Sequence, residues 1–169
     1  QGSSVLGPVE VVLQARQTIS IADVAHTKFG LASGNGALVI AVTDRDAKSL
    51  AVTSRTFNTS ASGEFGQDIP SVDANAALRA GDIAALSGPA AAATNRFNFG
   101  LYVTEAASIE WQVVRANGTV AASRTEGYVA GMHAQYNGGI ESFLGATAQD
   151  NDTVHARIHS GRAIFYGSI

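Results

Sequence analysis

Cysteine is absent from this chain, so no disulfide can stabilise it, and at 169 residues it is long enough to bury a core without one. Charge is scarce as well. Charged residues make up 15% of the sequence, against about a quarter in an average globular protein, and lysine occurs only at positions 28 and 48. A surface poor in lysine and rich in small hydroxyl residues is common in extracellular bacterial proteins. The composition therefore favours a secreted protein, outside the cell or at its surface.

Two further absences argue against whole classes of partner. The net charge is −3 and there is no basic stripe, so binding to nucleic acid is not expected, because phosphates are bound through clustered Lys and Arg. No window approaches eighteen apolar residues, so no membrane-spanning helix is predicted. The sequence begins with Gln1 and not Met, as it would after removal of an export signal.

Catalytic signatures are missing too. The sequence has no Gly-x-Ser-x-Gly elbow, Walker loop or dinucleotide fingerprint. A glycosidase-like pair of carboxylates could be drawn from several acidic residues, but the sequence gives no reason to choose among Glu64, Asp68, Glu105, Glu110 and Glu126. We therefore predict a protein that is not an enzyme and that uses no cofactor or metal.

What the sequence does contain is a series of short apolar runs, many of them alternating, between Gly, Asn, Ser and Pro, which predicts antiparallel strands. In the first half, strands are predicted at 9–14, 18–22, 36–43 and 49–58, and TSRTFNTSASGEFGQDIP at 53–70 reads as strand, turn and extended run. A helical turn at 24–29 is capped by Asp23 and ended by Gly30. In the second half, a helical turn is predicted at 140–144, and strands at 82–87, 96–104, 108–115, 120–123, 128–136, 152–159 and 161–169, the last two as a hairpin over Ser160-Gly161.

The order of these elements occurs twice, once with Lys28-Phe29-Gly30 at its helical turn and once with Phe143-Leu144-Gly145. This repeat predicts an all-β fold of two related antiparallel β-sandwich-like lobes, each with a single short helical turn. The predicted organisation is an N-terminal arm at 1–8, a first β lobe at 9–72, a connector with a short strand at 73–95 and a second β lobe at 96–169.

Three segments also carry a resemblance. TSRTFNTSASGEFGQDIP resembles the "SRTYN…GTYGQFIP" signature of tandem β-sandwich repeats in large secreted bacterial proteins, a functionally uncharacterised family. NRFNFGLYV is similar to that family's "FRTNLGLVN" strand, and the stretch from Ile21 to Gly30 is similar to its "LDDVLASLFG" turn. These motifs are structural, so the resemblance implies the fold and export and no activity.

The two repeats are unequal, which suggests how the protein assembles. The hairpin at 96–123 precedes the second repeat, and nothing equivalent precedes the first, so we expect an open sheet edge in the first lobe. A strand from a neighbouring copy would cover this edge head to tail, as in donor-strand pilins. The leading hypothesis is a secreted structural subunit of an extracellular filament or surface assembly, joined through Val5, Leu6, Val9, Val11 and Leu13.

The alternative hypothesis is a carbohydrate-binding or adhesive β-sandwich module with a glycan as its partner. Trp111, Phe97 and Phe99 fall on the apolar phase of their strands and are predicted to lie in the core, whereas Tyr102 and Tyr136 are predicted to be exposed. A second group shares one strand face because side chains two apart point the same way: His155, Arg157 and His159. His133 could add a third imidazole for a metal, but a solvated or interface face is the favoured interpretation.

Overall fold

The computed structural model describes residues 5–44 and 50–169. These residues include two short helices, α1 at Val24–Phe29 and α2 at Gly139–Ser142, and one 3-10 turn at Ala74–Ala76. The strands are β1 Thr53–Ser60, β2 Gly63–Pro70, β3 Leu78–Arg79, β4 Ile83–Ser87, β5 Asn98–Val114, β6 Val120–Tyr128, β7 His133–Tyr136 and β8 Thr153–Ser168. Every strand pair is antiparallel, so the all-β prediction is confirmed. Residues 1–4 of the predicted arm and residues 45–49, where a strand was predicted to begin, lie outside the described residues.

Two long strands, β5 and β8, form the centre of a six-stranded sheet. On one side, β7 and β6 pair with successive halves of β5; on the other, β3 and β4 pair with successive halves of β8. The β5–β8 register shifts repeatedly between Val103 and Ile109, and such bulges bend strands and increase their twist. Opposite this bend, Gly161 adopts a φ of 77°, and a Cβ there would overlap the Ala106 carbonyl.

The bend places the two halves of the sheet face to face around Trp111. The centroid of the Trp111 ring lies 5.3 Å from that of Phe99 and 5.6 Å from that of Phe165, both of which belong to the other half. Phe143, which follows α2, packs edge-on against the indole at 6.1 Å and stacks on Tyr136 at 3.8 Å. Burial alternates along β5, as a sheet with one covered face requires. The result is a single hydrophobic core cluster within residues 84–163, to which Phe165 adds a partly buried ring.

Two predictions about the central strands are wrong. The segments 152–159 and 161–169 do not form a hairpin over Ser160-Gly161; they are one continuous strand, β8, because Gly161 forms a bulge opposite β5 and does not reverse the chain. The strands predicted at 96–104 and 108–115 are likewise the two halves of β5. In both cases the polar or glycine interruption marks a bend.

The described residues before β1 contain little regular structure. Helix α1 has the predicted bounds: the Asp23 side chain accepts a hydrogen bond from the His26 N–H, and Gly30 ends the helix at a φ of 67°. The strands predicted at 9–14, 18–22 and 36–43 are not formed, which corrects those predictions. A strand needs partners for its N–H and C=O groups. Among the described residues 5–22, the one backbone–backbone hydrogen bond runs from Gln17 N–H to the Gln14 carbonyl, 3.0 Å.

The hairpin of β1 and β2 confirms the strand, turn and extended run predicted at 53–70. Its register runs from Thr53 opposite Pro70 to Ser60 opposite Gly63. Every residue of β1 is exposed. The Ser168 hydroxyl donates a hydrogen bond of 2.9 Å to the Gln67 side chain and so connects the hairpin to the end of β8. Among the described residues, none before Ala77 is buried, so the first half adds nothing to the core.

Candidate functional site

The outer surface of the sheet, opposite the core, carries most of the side chains for which a function was predicted. The bend divides this surface into two areas. The charged face lies where β4 and β6 flank the central strands, and it contains Glu110, Gln112, Ser123, His155, Arg157 and His159. The tyrosine face lies where β7 flanks them, and it contains Tyr102, His133, Gln135, Ile164 and Tyr166.

The charged face is organised around Glu110. Its carboxylate accepts hydrogen bonds of 2.9 Å from the Gln112 amide and the Ser123 hydroxyl, and it lies 3.4 Å from His159 Nε2. The hydrogen bonds from Gln112 and Ser123, and then the nearby charges of His159 and Arg157, lower the pKa of Glu110. The carboxylate is therefore held as an anion by its neighbours, which is the wrong state for a general acid.

The structure places the predicted ligand residues of β8 on this charged face. Arg157 is opposite Glu110 in the ladder, and His155 is opposite Gln112. His159, the third of them, forms the pair with Glu110. Within the described residues, no cluster of three or more His, Asp or Glu side chains is placed to hold a metal ion. This part of the sheet is an exposed polar surface with mixed charge.

The tyrosine face depends on a glycine. In the ladder, Gly100 is opposite Tyr166 on one side and Gln135 on the other, and a Cβ at Gly100 would overlap the Tyr166 hydroxyl. The Tyr166 side chain therefore crosses over β5 towards β7. Its hydroxyl lies 2.9 Å from His133 Nε2 and donates a hydrogen bond of 3.2 Å to Gln135 Oε1. The His133 and Tyr166 rings are parallel to within 3°, with centroids 5.8 Å apart.

Tyr102 belongs to the same surface and is half-buried there. It is opposite His133 of β7 and Ile164 of β8. The sequence alone pointed to Tyr102 but missed Tyr166. The available signal was Gly100, a residue without a side chain in the middle of an apolar strand, which indicates the close approach of another group.

Tyr136, which the sequence predicts to be exposed, faces the core. Its ring stacks on Phe143, and its hydroxyl lies 2.7 Å from the Tyr128 hydroxyl, which accepts a hydrogen bond of 2.9 Å from Trp111 Nε1. Burial raises the pKa of both tyrosines, so both stay protonated. The prediction extended one strand over 128–136. The turn at Gly131, with a φ of 78°, ends β6 before β7 begins and resets the alternation.

The predicted assembly residues lie on an exposed apolar segment. Val5 is 84% exposed, and its Cγ2 would lie 4.0 Å from a Cβ built at Gly131, in the turn between β6 and β7. The other four are 37–44% exposed: Leu6, Val9, Val11 and Leu13. A second apolar segment, at 36–43, exposes Leu38, Val39, Ile40 and Val42 by 48–65%. Contiguous exposed apolar surface of this kind marks interaction sites.

The sheet that could receive such a segment has open edges on both sides. The outermost strands are β6 and β7 on one side and β3 and β4 on the other, and within the described residues none of the four has a second strand partner. Both strands of the β1–β2 hairpin are also edge strands. No helix in the described part of the chain is long and apolar enough to cross a bilayer.

Comparison with known proteins adds no family. No protein-family model matches the sequence, and no curated protein is similar to it. The class that the structure defines is an antiparallel all-β protein. Its function must be argued from the two faces of the sheet, the open edges and the exposed N-terminal segments.

Protonation of His133 is expected to weaken the fold. Burial lowers the pKa of His133 below its ordinary value of 6.5, so the unfolded chain binds this proton more readily than the folded one. The contribution of neutral His133 to stability is therefore present above pH 6.5 and is lost as the pH falls below that value. Between about pH 8 and about pH 5, the free energy of unfolding measured in urea should decrease less for His133→Gln than for the wild type. The exposed His26→Gln serves as the control, and an equal loss in His133→Gln and wild type would refute the assignment.

Proposed function

We propose that the protein is a secreted structural subunit that polymerises by β-strand addition, with the N-terminal segment of one copy covering an open sheet edge of the next. The observation that carries this proposal is the contrast between the two halves. The second half contains the buried core. None of the described residues before Ala77 is buried, and two apolar segments among them are exposed. Open edges lie on the same molecule.

Strand addition would bury the exposed apolar segment and pair the open sheet edge in a single contact. The backbone of residues 9–14 gains a ladder, in which each hydrogen bond contributes about 1 kcal/mol net. Val9, Val11 and Leu13 share one strand face, and burying each such side chain contributes about 1.5–3 kcal/mol. The same contact covers the unpaired groups of the edge, which exposed strands otherwise offer to any extended chain.

The finer architecture is part of the proposal. On assembly, residues 9–72 form the first β lobe, with strands at 9–14, 18–22 and 36–43 beside the β1–β2 hairpin and α1, which are already formed. The second lobe is the sheet around Trp111. The resemblance of residues 53–70 to tandem β-sandwich repeats of secreted proteins supports this pairing, and the low charge supports an extracellular location.

A contact of this type extends without limit. The donor is the N-terminal segment and the acceptor is a sheet edge, so each copy keeps one free donor and one free acceptor. Such head-to-tail contacts build filaments unless the rotation that relates successive copies closes a ring. We therefore propose a fibre or surface layer as the product.

The proposal predicts that charge on one face of the donor strand abolishes assembly. The wild-type chain should form particles whose mass rises with concentration in light scattering and which are elongated in electron micrographs. The triple variant Val9→Asp, Val11→Asp, Leu13→Asp should stay monomeric, because a buried unpaired carboxylate is strongly unfavourable. The matched control, Glu10→Ser with Gln14→Ser, changes the opposite face and should assemble like wild type.

Two results would contradict the proposal. One is a wild type that remains monomeric at every concentration. The other is a triple variant that assembles as well as the control. Circular dichroism checks that the sheet around Trp111 stays folded in each variant, as we expect because none of the substituted residues belongs to the core cluster.

A further inference from the structure

We propose that the tyrosine face is a binding site for a neutral polysaccharide. Tyr102, His133 and Tyr166 place three rings on one area of the outer surface, on three adjacent strands. Aromatic rings with a polar edge suit a ligand that has an apolar C–H surface and many hydroxyl groups. A sugar ring has both. This inference does not depend on the N-terminal segment.

The rings are held in place before any ligand arrives. The Tyr166 hydroxyl is fixed between His133 Nε2 and Gln135 Oε1, and its ring lies over Gly100, where no other side chain competes for the space. The Gln135 amide in turn donates a hydrogen bond of 2.7 Å to Asn137. Ordering of side chains on binding costs affinity, so a face already fixed by its own hydrogen bonds loses little.

The charge of the face selects a neutral ligand. Its side chains are two tyrosines, an amide, an isoleucine and His133, whose imidazole is neutral at pH 7 because burial lowers its pKa. Burial raises the pKa of Tyr166 to about 12, so that hydroxyl stays protonated as well. Two charged residues at the bend, Arg162 and Glu105, pair with each other at 3.8 Å.

The other candidate surface fits this ligand less well. On the charged face, the Glu110 carboxylate lies 3.4 Å from His159 Nε2, Gln112 and Ser123 are used in holding Glu110, and no tyrosine, phenylalanine or tryptophan is present among the residues that define the face. Neutral sugar rings have little to stack on there. The two faces therefore make a matched pair for the experiment.

The test is isothermal titration calorimetry at about pH 8. The probes are three neutral oligosaccharides, cellohexaose, maltohexaose and chitohexaose (fully N-acetylated), and one anionic one, oligogalacturonate. The protein is the full chain carrying Val9→Asp, Val11→Asp and Leu13→Asp, so that the result stands whether or not the chain polymerises; the wild type is titrated in parallel. We expect at least one neutral probe to bind and oligogalacturonate to bind more weakly.

Variants then locate the site. Tyr102→Ala and Tyr166→Ala should each weaken binding about tenfold, the effect of losing roughly 1.4 kcal/mol of ring stacking. Tyr166→Phe should keep most of the affinity, because the ring remains. Thr125→Ala on β6, an exposed position that neighbours Glu110 on the charged face, should bind like the parent. Urea midpoints verify that each variant is folded.

Three results would overturn the inference. The first is that no neutral probe binds. The second is binding that is unchanged in both tyrosine-to-alanine variants. The third is that Tyr166→Ala, made in the wild-type background, alters the particle mass in light scattering while sugar affinity stays the same, which would make the face a contact between copies.

Discussion

Replacing Trp111 with alanine is expected to lower the free energy of unfolding by about 3–5 kcal/mol. The indole is fully buried between the two halves of the folded sheet, where its ring contacts those of Phe99, Phe165 and Phe143. Its removal leaves a cavity that the central strands cannot close without losing their register. Urea unfolding followed by far-UV circular dichroism measures the change, since the variant has no tryptophan fluorescence.

Two further variants separate the volume of the indole from its hydrogen bond. Trp111→Phe keeps an aromatic ring but removes the donor to the Tyr128 hydroxyl, so it should cost about 1–3 kcal/mol. Val120→Ala, at a position 53% exposed on β6, should change stability by about 0.5 kcal/mol or less. If Trp111→Ala proved no more harmful than Val120→Ala, the folded-sheet core would be wrong.

Replacing Asp152 with alanine is the second large effect, expected to cost about 3 kcal/mol. The side chain is 1% exposed, and its Oδ2 accepts hydrogen bonds from Arg115 Nη1 at 2.6 Å and from the Gln149 N–H at 2.8 Å. Arg115 also donates to the Thr147 carbonyl, and the Asp152 carbonyl accepts from the Gly88 N–H. One residue thus connects the end of β5, the start of β8 and the end of β4. Its loss leaves the Arg115 guanidinium, whose side chain is only 17% exposed, without its anion.

An exposed ion pair in the same chain provides the control. Arg55 and Glu64 pair at 3.2 Å across the β1–β2 hairpin, with both side chains about half exposed. Because water screens such pairs, Glu64→Ala should cost about 0.5 kcal/mol or less. Equal losses for Asp152→Ala and Glu64→Ala in urea unfolding would mean that Asp152 does not hold these elements together.

The sequence predicted best the features that depend on neighbouring residues. Asp23 and Gly30 mark the ends of α1 through capping and a left-handed glycine, and both signals are local. The turn between β1 and β2 follows in the same way from the Ser/Gly-rich stretch at 60–63. The alternation of Phe97, Phe99 and Trp111 predicted the core side of β5 and of the residue that precedes it, and all three are buried.

The features that the sequence did not predict depend on contacts between residues far apart in the chain. Whether Ser160-Gly161 reverses the chain or bends it is decided by Ala106 on the opposite strand. The position of Tyr166 over Gly100 likewise depends on the β5–β8 register, which no local pattern gives. The apolar runs at 9–14 and 36–43 show a preference for strand, but a strand forms only where a partner is present.

The central claim, that these runs find their partner on another copy, is tested most directly by amide hydrogen exchange of residues 9–14 and 36–43 at high and low protein concentration. The account predicts slow exchange at high concentration that becomes fast on dilution, while the amides of β5 and β8 stay protected throughout. Protection of residues 9–14 that does not change on dilution, or its absence at every concentration, would contradict the account.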